Sequence, residues 1–121
     1  GLAADPETGV AVWLAAGPTA PTAALDRLGV ELIPGLSLLP KGRSASVLEP
    51  ALAAEAGAAL AVALRDGPLT IIDVGVPDTA VCRAVLEVTD ASLLVMRECY
   101  VALRRAVRNP LTVRSFGIVV V

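Results

Sequence analysis

Two apolar patterns take turns along this chain: short continuous runs of Leu, Ile and Val, and longer stretches with apolar residues at helical spacing. Leu36-Ser37-Leu38-Leu39, Leu69-Thr70-Ile71-Ile72, Ser92 to Met96 and Phe116 to Val121 are of the first kind and predict strands. Gly1 to Pro6 reads as the end of a further strand. Thr8 caps a short helix through Val10, Val12, Trp13 and Leu14 that Gly17-Pro18 stops. Pro21 to Leu28 predicts a second, with Gly29 just past its end. The capping box Ser46-Val47-Leu48-Glu49, with Pro50 in the first turn, predicts the longest helix, which runs to Arg65 before Gly67-Pro68. Asp78 is the expected cap of a helix from Thr79 to Val88, with Val81, Val85 and Leu86 facing a sheet. Tyr100 to Val107 is the last predicted helix. Strand runs alternating with helices argue for an α/β fold of three layers, a mostly parallel sheet with helices on both faces.

At 121 residues the chain supports one domain, and 55% hydrophobic residues with a mean hydropathy of +0.72 exclude a disordered polypeptide. Trp13, Tyr100 and Phe116 are the only aromatic residues, so the core must be built from Ala, Val, Leu and Ile. A net charge of −2 gives no ground for a broad nucleic-acid-binding surface. Histidine is absent, which removes Ser/His/Asp and Cys/His catalysis and the usual Cys/His zinc site. Cys82 and Cys99, seventeen positions apart, read as buried free thiols in a reducing compartment. No apolar run reaches the roughly 18 residues of a membrane span, and no basic segment leads into an apolar one at the amino terminus. A cytoplasmic setting is expected. Gly1 at the start and the apolar run ending at Val121 suggest an internal piece of a longer protein.

Chemistry points first to Asp73. An apolar run ends in this carboxylate and a turn, Val74-Gly75-Val76-Pro77, follows at once. Open α/β sheets place ligands beyond such strand ends. In P-loop NTPases an acid there helps hold Mg²⁺ beside the phosphates, usually through water because Mg²⁺ keeps much of its hydration shell. The other reading of Asp73 is a structural cap or solvated turn residue. Asp5, in Asp5-Pro6-Glu7-Thr8-Gly9, is either a second such acid or the start of a helix-opening turn. If both acids lie over one sheet edge, they suit Mg²⁺ and an attacking water. No G-x-x-x-x-G-K-[ST] phosphate loop occurs, and the only lysine, Lys41, follows Pro40. Arg104, Arg105 and Arg108 read as a solvated helix face, or else as a DNA- or membrane-contacting patch.

The order of these pieces resembles the ParA/MinD-type ATPases, P-loop proteins with a deviant Walker A loop. Ala3-Ala4-Asp5-Pro6-Glu7-Thr8-Gly9 resembles their D-x-D-P-[EQ]-x-G segment. Pro34 to Pro40 is similar to the next family strand, and Leu69 to Pro77 to the Walker B strand and second switch. Asp90 to Arg97 resembles the strand after that, Cys99 to Arg105 its helix, and Gly117-Ile118-Val119-Val120 a later strand. The likeness implies an incomplete P-loop NTPase-like domain whose phosphate loop lies upstream of residue 1. It implies ATP and Mg²⁺ as cofactors of the intact parent, with Asp5 tied to the attacking water and Asp73 as the metal-side acid. Gly75 and Pro77 would belong to the loop facing the γ-phosphate. It further implies a homodimer, a DNA or membrane scaffold, an activating partner protein, and positioning of chromosomes, plasmids, division sites or pili. Ala3 departs from the first family acid, which admits a non-catalytic adaptor or localisation factor of the same fold. An unrelated doubly wound domain, such as a receiver-like module, is the third reading. Without a phosphate loop, the chain alone is expected neither to bind nor to hydrolyse ATP, and its apolar strands are expected to leave a sheet edge open.

Overall fold

The computed structural model describes residues 8–43, 48–108 and 113–121. Its order is α1 (Val10–Ala15), α2 (Ala23–Leu28), β1 (Val30–Ile33), β2 (Leu36–Leu38), α3 (Pro50–Arg65), α4 (Ala80–Val88), β3 (Ser92–Met96), α5 (Tyr100–Arg108) and β4 (Phe116–Val120). The mixed α/β character expected from the sequence is present. The single mostly parallel sheet is not what the described residues form: the strands make two separate pairs, β1 with β2 antiparallel and β3 with β4 parallel.

α3 organises the helical part. Trp13 of α1, Leu25 of α2 and Leu60 of α3 form the buried cluster, with Val10, Leu14, Ala24, Leu28 and Ala63 packed around it. The indole N–H of Trp13 donates to the Pro21 carbonyl at 3.0 Å, so the buried ring keeps its polar edge satisfied. Ala56, Gly57 and Ala61 are buried too, on α3, as are Ala84 and Val85 of α4. Gly57 sets how closely the two helices approach. A Cβ added there would stand 2.8 Å from the Val81 carbonyl oxygen and 3.0 Å from the Val81 Cα, both backbone atoms. Val85 is buried as expected, but α4 packs on α3, not on a sheet.

The start of α3 corrects the capping-box expectation. Its N-cap is Glu49 and Pro50 occupies the first helical position, while Ser46 lies outside the described residues. A cap at Ser46 would have put Pro50 at the fourth helical position, where the first intrahelical N–H must come from; proline has none, and at the first position none is needed. Thr79 rather than Asp78 caps α4, its hydroxyl accepting the Cys82 N–H at 3.2 Å. β1 was not expected. Pro34-Gly35 turns the chain between Ile33 and Leu36, and Gly35 has φ +84, as the third residue of a type II turn requires.

The other departure matters most. Leu69 to Asp73 forms no strand. Leu69 and Ile71 are 96% and 91% exposed. Leu93, Val95, Ile118 and Val120 in the parallel pair are also exposed. The chain exposes 8668 Å², whereas a compact protein of 12.3 kDa exposes about 6,100 Å².

Candidate functional site

The Asp73 turn is built from local hydrogen bonds. The Asp73 carboxylate accepts the Gly75 N–H through Oδ1 at 2.9 Å, an Asx turn of the kind this side chain forms readily. Gly75 has φ +60, a left-handed conformation that a residue with a Cβ adopts at a cost. Nothing lies within 4 Å of where its Cβ would be, so the glycine answers to backbone conformation and not to close packing. The Asp78 N–H donates to the Val76 carbonyl at 2.8 Å, folding the chain tightly around Pro77. Two residues further on, Thr79 starts α4. The Cys82 thiol points back at the Val74 carbonyl, 3.7 Å away, and joins the turn to the first turn of the helix.

Asp73 therefore sits on an exposed turn directly before a helix, with one carboxylate oxygen engaged by Gly75. Gly75 and Pro77 stand in the same turn. Asp5, the expected second acid, lies outside the described residues. Among the described residues no group of three or more His, Cys, Asp or Glu side chains converges as a metal site. Mg²⁺ in nucleotide sites is held by one or two carboxylates together with substrate phosphates, and Asp73 fits the part of one such acid. ATP does not fit in the same way, because its phosphates need a cradle of backbone N–H groups. The N-termini of α1 and α4 have backbone N–H groups already engaged. Val10 and Ala11 N–H donate to the Pro40 and Lys41 carbonyls at 2.9 and 2.8 Å, and α4 is capped by Thr79. Gly9 and Gly42 meet backbone to backbone there: a Cβ on Gly9 would fall on Gly42 N and the Pro40 carbonyl. Lys41 thus belongs to a loop whose main chain closes α1. No step involving ATP follows from the groups in this turn.

The second feature is the parallel pair with its crossover helix. A groove of about 390 Å³ runs between α5 and the pair, lined by Met96, Glu98, Cys99, Tyr100, Leu103, Ile118 and Val120. Its walls are almost wholly apolar. Cys99 is exposed and Cys82 half-buried, and both are free thiols; burial of both, expected from the sequence, holds only in part for Cys82. No helix among the described residues is long and apolar enough to cross a membrane. Comparison with protein families, with curated proteins and with solved structures finds no match to this chain.

Proposed function

We propose that the chain is the Walker B-bearing part of a ParA/MinD-like ATPase, a P-loop NTPase-like domain whose ATP-dependent dimerisation drives intracellular positioning or partitioning. The carrying observation is the turn from Ile72 to Thr79: an apolar run ends in a carboxylate, which takes the Gly75 N–H and leads directly into a capped helix. A metal-side acid of this kind follows an apolar strand; Leu69 to Asp73 forms no strand among these residues, so the turn and the capped helix after it carry the likeness. The order of the remaining pieces supports the same reading, from the Asp5 segment through β2, β3 and α5 to β4. In the intact protein, Asp73 would be the carboxylate that helps hold Mg²⁺, and Gly75 and Pro77 would belong to the loop facing the nucleotide. The phosphate loop is supplied from outside these residues. By the resemblance, Asp5 would be the acid tied to the attacking water. The protein works in the cytoplasm, as a homodimer on a nucleoid or membrane scaffold, and an activating partner sets its hydrolysis rate.

Ala3, standing where the family has its first acid, favours a second reading: a non-catalytic adaptor or localisation factor of the same fold. One experiment separates the two. The product of the complete gene is assayed for MgATP binding, dimerisation and hydrolysis, beside its Asp73→Asn variant. The ATPase reading expects hydrolysis that falls about 10- to 100-fold in the variant, the range for losing a group that holds a metal through its outer shell. Binding without hydrolysis selects the adaptor. A gene product that neither contains a phosphate loop nor binds ATP overturns both.

A further inference from the structure

We draw no further inference here: the strongest candidate, the apolar groove between α5 and the β3–β4 pair, lined by Met96, Tyr100, Leu103, Ile118 and Val120, is an unpartnered face, and nothing in the structure shows what covers it.

Discussion

Gly57 offers the sharpest test of how the helices pack, because two effects of known size oppose each other there. Replacing a mid-helix glycine by alanine stabilises an isolated helix by about 1 kcal/mol. In this chain the new methyl would stand 2.8 Å from the Val81 carbonyl oxygen and 3.0 Å from its Cα. Both are backbone atoms of α4, so no rotamer change relieves the contact and the helix itself must move. Forcing an extra methyl group into a packed site costs about 1–3 kcal/mol. Gly57→Ala is therefore expected to destabilise by about 1 kcal/mol net, a fall in Tm of roughly 3–5 °C. Gly57→Val lacks most of the helix-propensity gain and adds two further methyl groups, so it should cost about 3 kcal/mol. Urea unfolding followed by Trp13 fluorescence measures both, since this single tryptophan is buried in the α1–α2–α3 cluster. A Gly57→Ala chain that is more stable than the parent by about the propensity gain would show that α3 and α4 do not approach this closely.

Thr79→Ala removes the hydroxyl that accepts the Cys82 N–H and should cost about 1 kcal/mol; thermal melts by circular dichroism check it, and an unchanged Tm would dismiss the cap. Trp13→Phe removes the bond to Pro21 along with part of the core volume, for about 1–3 kcal/mol, read by urea titration in the far ultraviolet. Leu69→Thr with Ile71→Thr alters side chains that are almost fully exposed, so stability should change by less than about 0.5 kcal/mol while light scattering reports less self-association; cooperative unfolding at lower urea would mean that the segment is core after all. Calorimetric titration of the chain with MgATP should give no heat of binding, and a micromolar affinity would contradict the absence of a phosphate cradle.

What could be read from the sequence was mainly what neighbours in sequence decide. Helices α1, α2, α4 and α5 and the end of α3 fall within a residue or two of their expected places, because caps and breakers such as Gly17-Pro18, Gly29 and Gly67-Pro68 act locally. β3 coincides with its expectation over Ser92–Met96. The hairpin of β1 and β2 had a signal that was passed over: Pro34-Gly35 is a two-residue turn motif between apolar runs, and Leu36 to Leu39 was assigned to a parallel strand instead. Strand pairing is legible only where a helix joins neighbouring strands, as in the parallel pair β3 and β4; sheet order beyond that depends on partners remote in the chain. The site divides along the same line. The Asx turn at Asp73 and the left-handed Gly75 follow from residue type, and the helix after them was foreseen with its cap one residue early. Whether Asp5 stands near Asp73 is a question of sheet order, which no local pattern carries.

The Leu69 to Ile72 run shows why composition and structure part company. Its residues have the β propensity of a buried parallel strand, yet a strand exists only where a neighbouring backbone supplies the ladder. In its present setting the run turns Leu69 and Ile71 wholly to water, where each forgoes about 1.5–3 kcal/mol of burial. The parallel pair shows the same deficit, since two strands alone make a marginal sheet and parallel ones are ordinarily covered on both faces. The surplus of surface over a compact chain of this mass is about 2,600 Å². Clustered apolar side chains are seldom left open on a soluble monomer, so these segments should promote self-association. A polar change at Ile71 should therefore lessen self-association while leaving the stability of the helical cluster of Trp13, Leu25 and Leu60 as it was.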